Sequence, residues 1–362
     1  MTKSTRFAVM AGASSLLLAA ATASAADVEM GKAKLSFYGE LDVYAGSLEN
    51  PGSEESVLKL DSGGLNTSYA GASGSMPLTD SLTAVAALEM FLRPSEGDNG
   101  RFSGDAFFAR AAYVGLAGDF GQVTFGRNTA PYYLPNVFFN SFGGGFAFSP
   151  TILHTFSGGL FGPIAGDTGW SNSISYSTPV FGGLKGNVVY AFGEQAGESG
   201  DGKAGFNLFY NTGGFAMTLA GYQVDAGALA ATTGGSPGSL GNLSGLGDFE
   251  DQMALMLGAS YDFGAAKLFG QYQMMETSLS GGDADIDTIT TGLRVPTPSG
   301  AVKLAVALSD FGGDMDDERT TASLGYDHYF GSNFDLYSVA MHDEIDSLDS
   351  GMTVAVGARF RW

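Results

Sequence analysis

The final twelve residues, GMTVAVGARFRW, sort their side chains by parity. Met352, Val354, Val356, Ala358, Phe360 and Trp362 make one apolar row, and Gly351, Thr353, Ala355, Gly357, Arg359 and Arg361 make the other. Successive side chains of a strand point to opposite faces. Two arginines on one face and an aromatic terminus on the other suit a strand with water inside and hydrocarbon outside. The same code recurs along the chain, most clearly over residues 35–44, 82–93, 171–180, 253–263 and 302–309. Counted with the weaker segments, the pattern predicts an all-β chain: a transmembrane antiparallel β-barrel of about 16 strands. Closure removes the sheet edge that hydrocarbon would not tolerate.

The chain opens with MTKSTRF, an apolar stretch over residues 8–21, and Ala23-Ser24-Ala25. A charged start, a short apolar core and an A-x-A site read as a secretory signal peptide over residues 1–25, too short to span a bilayer. Residues 26–362 are then a single barrel domain. Cleavage removes Lys3 and Arg6 and no acid, leaving 15 cations against 38 carboxylates, a net charge of −23. A chain so acidic has no electrostatic basis for nucleic-acid binding. It has no cysteine, so an exported form is not held by disulfides. No later apolar run reaches the length of a helical span.

The connectors differ in length. Short ones lie at 77–81, 118–121, 181–184, 212–214, 264, 298–300 and 331–333. Long ones lie at 46–56, 94–106, 226–252, 278–287 and 311–319. Short turns on one side and long loops on the other match an outer-membrane barrel. The longest connector contains residues 128–166, which include no Asp, Glu, Lys or Arg and are rich in Phe, Tyr, Gly and Pro. A long loop without regular structure is usually functional, and one this apolar must pack against something, with the barrel lumen the obvious place.

Arg93, Arg110, Arg127, Lys185, Lys267, Arg294, Lys303, Arg359 and Arg361 fall in or beside predicted strands. A cation at the lipid midplane costs roughly 2–4 kcal/mol, so those well inside strands are expected to face the lumen. The parity of Arg110 and Arg294 is ambiguous. The acids gather in stretches such as DADID, DMDDE and DEIDSLD, read as loops. Net charge therefore describes the rim and does not set ion selectivity. Asp283, Asp285 and Asp287 alternate like the start of a calcium loop, but Thr288 and Arg294 stand where Gly and Glu are needed. These acids, and Asp314, Asp316 and Asp317, read as solvated loop carboxylates, with weak calcium or lipopolysaccharide bridging as the alternative. His154, His328 and His342 show neither metal-ligand spacing nor a Ser/Asp pairing, so an enzyme has little support. Tyr38, Phe263 and Tyr326, near strand ends, read as interface-girdle aromatics.

The segment RAAYVGLAGDFGQVTFGRNTAPYY over residues 110–133 resembles the fourth and fifth strands of the Gram-negative general porins, leading into their loop 3. SFYGELDVYAG at 36–46 resembles the first strand, SNSISYSTPVFGGLKGNVVYAFGE at 171–194 the hairpin after loop 3, and VGARFRW the closing strand. The resemblance implies a sixteen-stranded barrel, a homotrimer in outer-membrane lipid and lipopolysaccharide, and loop 3 folded inward as a constriction. It implies wall arginines at Arg127 and Arg110. Parity on the strand adds Arg93, with Glu89 on the same face, and Glu40 and Asp42 stand as lumen carboxylates of the first strand. Two features depart from the family. The chain ends in Trp362 where Phe is usual, and the uncharged run leaves most of loop 3 without acids. The arginines are then expected to face Tyr132, Tyr133, Asn136 and Asn140, with Asp167 the nearest loop carboxylate. The implied function is a water-filled channel for passive diffusion of small hydrophilic solutes and ions, without cofactor. The alternatives are a channel preferring one substrate, or a plugged barrel serving as adhesin or anchor.

Overall fold

The computed structural model describes residues 26–156, 166–194, 202–226 and 245–362. The leader read at 1–25 and most of the glycine-rich stretch 234–247 lie outside the described residues. The strands are β1 Ala26–Met30, β2 Ala33–Leu48, β3 Val57–Ser62, β4 Tyr69–Pro77, β5 Leu82–Arg93, β6 Asp98–Asn99, β7 Ala111–Gly118, β8 Gly121–Thr129, β9 Gly169–Ser177 and β10 Leu184–Phe192. They continue as β11 Gly202–Thr212, β12 Phe215–Asp225, β13 Phe249–Asp262, β14 Lys267–Leu279, β15 Gly282–Thr297, β16 Gly300–Gly313, β17 Asp317–Tyr329, β18 Phe334–Ile345 and β19 Gly351–Arg361. Two short helices, α1 Tyr133–Phe138 and α2 Pro150–Phe156, lie between β8 and β9.

Three of these strands are accessories: β1 and β3 extend the pairing of β2, and β6 is a two-residue addition to β5. The other sixteen form a closed antiparallel barrel. The seam is β19 against β2, in register from Val354 opposite Ser47 to Arg361 opposite Glu40. Past the last strand residue, Trp362 and Gly39 exchange backbone hydrogen bonds at 3.2 Å each way. A side chain at Gly39 would collide with the Trp362 indole, so the seam requires glycine there.

The parity read from the terminal segment holds in three dimensions. Met352, Val354 and Val356 are 50%, 54% and 61% exposed, whereas Thr353 and Ala355 between them are buried. The exposed face is the lipid face and the buried one the lumen face.

Two expected long connectors are absent. β14 ends at Leu279 and β15 begins at Gly282, so residues 278–287 are a tight hairpin flanked by strand, and Asp283, Asp285 and Asp287 lie within β15. The 311–319 connector likewise shrinks to the three residues between Gly313 and Asp317. Strand pairing continues past the apolar band into a charged extension, where polar side chains no longer cost lipid transfer. Acids there ended the alternation without ending the strand.

The barrel interior is filled on one side by the connector between β8 and β9. Tyr132 packs edge-on against Tyr222, with ring centroids 5.1 Å apart, and donates to Gln273 at 3.1 Å. Phe148 packs against Tyr44 at 4.8 Å, and its carbonyl accepts from Ser323 at 2.9 Å. Ser141 donates to the Leu304 carbonyl at 2.6 Å. The His154 ring nitrogens lie 2.7 Å from Ser309 Oγ and 2.7 Å from Thr321 Oγ1. Asn207 donates to the Pro131 carbonyl at 2.7 Å. These partners span β11 to β17 and β2, so the connector coats most of the inner wall. Its missing charges follow, because a loop buried on both sides cannot leave a charge unpaired. Lumen-facing glycines make the room: a Cβ on Gly205 would stand 2.7 Å from Pro131.

Candidate functional site: the charged wall facing the inward loop

The lining opposite the coated wall comes from β2, β4, β5, β7 and β8, and here the charged side chains collect. Strict alternation in β8 would put Arg127 on the outer face with Phe125, but the strand register shifts between Gly126 and Asn128, and Arg127 turns inward at that bulge. Its guanidinium donates to Asp167 at 3.0 Å, to Ser171 Oγ at 2.9 Å and to the Ala109 carbonyl at 2.5 Å. Asp167 also takes Arg101, which binds Asp105 through Nε at 2.9 Å. The Asp167 backbone is left-handed, with φ of 64°, a strained choice for a non-glycine residue of the kind that persists at functional sites. Burial by itself would raise the Asp167 carboxyl, but Arg101 and Arg127 together bring it down to about 2.

A second group stands beside the first. Arg110, immediately before β7, is paired with Glu89 and lies 4.0 Å from the centroid of the Tyr69 ring. Glu89 accepts from Tyr38 at 2.5 Å. Tyr133, on the loop, lies within the electrostatic reach of Arg110 and Arg101.

The structure gathers Arg127, Arg110, Glu89, Tyr133 and Asp167 on this wall and places the other expected residues elsewhere. Arg93 does not meet Glu89; it turns to Glu96 and to Asp98, the latter at 2.7 Å, because the loop after β5 curls back over the strand end. Tyr132 faces away from the arginines, into the coated wall. Asn136 and Asn140 hold the loop's own backbone, donating to the carbonyls of Tyr132 at 3.0 Å and of Gly143 at 3.0 Å. Asp42 is fully buried, accepting from the N–H groups of Leu65 and Asn66 at 2.8 and 2.9 Å and from Tyr337 at 2.5 Å. It caps the turn after β3 and offers nothing to a passing solute. Glu40 is bound to Arg361 at 2.7 Å, in a network that joins Arg359, Asp335, Asp327 and Lys303.

Asp314 and Asp317 have partners of their own: Asp314 accepts from the Asp283 N–H at 2.9 Å, and Asp317 from Ser347. Asp316 is exposed. Among the described residues no three carboxylate or imidazole side chains come together as a metal-binding set.

Four members of the wall escaped the sequence. Tyr38, expected in the lipid girdle, points inward and holds Glu89. Arg101 and Asp105 lie in a loop without periodicity, where no signal distinguishes them. Lys203, at the start of β11, is buried, and its ammonium has no hydrogen-bond partner among the described residues. It lies within electrostatic reach of Asp167 and Arg127. The strand parity of β11 would have pointed Lys203 inward.

The chain matches the sequence model of the Gram-negative porin family over residues 12–348. It is 30% identical over 329 residues to outer membrane porin protein 32 of Delftia acidovorans, covering 89% of this chain and 87% of that one. Its structure resembles an anion-selective porin from Comamonas acidovorans, with a TM-score of 0.74 and 24% identity, covering 91% of this chain and 100% of that one. It also resembles the outer-membrane-expressed OmpT of Vibrio cholerae, with a TM-score of 0.66 and 15% identity over 93% of this chain and 100% of that one.

Proposed function

The chain belongs to the Gram-negative porins, a family of outer-membrane diffusion channels, and on that premise we propose that it admits small hydrophilic anions in preference to cations. The supporting observation is the charge around Asp167. Arg101, Arg127 and Lys203 face only Asp105 and Asp167 among the described residues, leaving one positive charge unanswered. The Arg110–Glu89 pair beside them is balanced. A fixed positive excess at a narrow, low-dielectric passage attracts anions and repels cations. The similar structure described as an anion-selective porin supports the same sign.

Residues 1–25 act as the export signal. The barrel works as a homotrimer, in keeping with a trimer form of the similar OmpT of Vibrio cholerae. The exposed apolar band meets lipid, and the acidic strand extensions meet lipopolysaccharide. No bond is made or broken in transport. Reversal potential across a potassium chloride gradient tests the selectivity: the wild type is expected to prefer chloride, and R127Q to shift toward potassium. An unchanged reversal potential in R127Q would remove Arg127 from the constriction.

A further inference from the structure

A second group of cations stands at the short-turn end of the lumen, away from Arg127. On three adjacent strands Lys267 of β14 is in register with Arg294 of β15, which is in register with Lys303 of β16. All three share the parity of lumen-facing residues: Phe269, Thr290 and Ala305 are buried inward, while Leu268 and Leu304 point out. Like charges directly opposite across strands destabilise a sheet, so sheet stability does not account for the row.

The three differ in how their charge is met. Lys303 lies 2.6 Å from Asp327. Among the described residues Arg294 reaches only the Tyr329 hydroxyl, at 3.2 Å, and Lys267 lies over the Phe269 ring at 4.9 Å. Neither has a carboxylate within ion-pair distance among the described residues. Asp262 is opposite Lys267 in register and within its electrostatic reach, while one of its oxygens accepts from the Gly264 N–H at 2.8 Å in the turn. Lys267 and Arg294 both keep part of their surface open to the lumen.

We propose that Lys267 and Arg294 form an anion-binding station at the periplasmic mouth, distinct from the constriction and suited to a small oxyanion such as inorganic phosphate. Side chains directly opposite on neighbouring strands start roughly 4.5–5.5 Å apart, so an ammonium and a guanidinium there can close on one anion. The guanidinium supplies a bidentate face and the ammonium a point charge. The inference deepens the anion-diffusion reading and rests on it.

The test compares single-channel chloride currents of the wild type with those of K267Q, R294Q and the double variant, all in refolded barrels, with inorganic phosphate added symmetrically. Phosphate is expected to block the wild type, and the double variant to need at least about fivefold more for half-block, since two charge-assisted contacts are lost. The double variant also conducts less than wild type at 0.1 M salt and equally at 1 M, where the Debye length falls from about 10 Å to 3 Å. Equal half-block and equal low-salt conductance in wild type and double variant would overturn the station. If the double variant does not refold, the two single variants decide by the same criteria. A wild type that prefers potassium overturns the anion-diffusion reading instead. Phosphate block that survives in R127Q and disappears in the double variant assigns the site to the mouth.

Discussion

On the proposed anion preference, single charges decide what passes the wall at Arg127. Lys203 has no hydrogen bond among the described residues and tips the local balance positive, so K203Q should carry the reversal potential toward potassium. R110Q should do so as well, because it removes one positive charge and leaves the Glu89 carboxylate without its cation. An unchanged reversal potential in both variants would show that these charges do not govern selectivity. Asp167 adds a pH dependence whose direction follows from its lowered carboxyl. In the unfolded chain an aspartate titrates near 3.9. The stability from its arginines is therefore complete above about pH 4 and is lost as pH falls through about 2. D167N should flatten that part of an acid-denaturation profile followed by the heat-dependent gel shift of the barrel. Residue roles were only partly legible in the sequence. The family resemblance placed Arg127 on the wall although the parity of β8 alone would not, and Asp42 and Asn140 were spent on backbone groups. Arg101 lies in a loop, where no periodicity speaks.

At the scale of the element, the inward loop is a wall lining held by side chains from many strands. His154 is a central fastener, bridging Ser309 and Thr321. Burial holds its imidazole well below the usual value, and Arg319 adds to the effect. The neutral ring is the bound form, so its contribution is whole above the unfolded value of about 6.5 and declines as pH falls below it. Acidification toward pH 5 should raise proteolytic nicking within residues 129–156 in the wild type, and H154N should reduce that pH response. Nicking independent of pH in the wild type would contradict the fastening. The inward fold of this loop was readable from composition, since an uncharged aromatic stretch must be covered. Which strands cover it was not, because the glycines that make room, such as Gly205 and Gly258, carry no signal until the loop is placed against them.

At the scale of the whole molecule, the barrel depends on closing its seam. Gly39 and Trp362 tie the ends together, so G39A should push the indole aside and lower the yield of refolded barrel. An unchanged yield would show that the seam tolerates a side chain there. The strand number and the lipid and lumen faces were legible from period-two alternation. The strand lengths were not, because pairing continues into the charged extensions of β15 and β17, where burial no longer enforces the pattern. The barrel is a closed cylinder with lipid outside and water inside, and its passage is proposed to be positive. Single-channel recording of the refolded wild type in a planar bilayer under a salt gradient tests both points most directly. Ohmic steps with a reversal potential on the chloride side are predicted; well-folded barrel that yields no steps would contradict the channel.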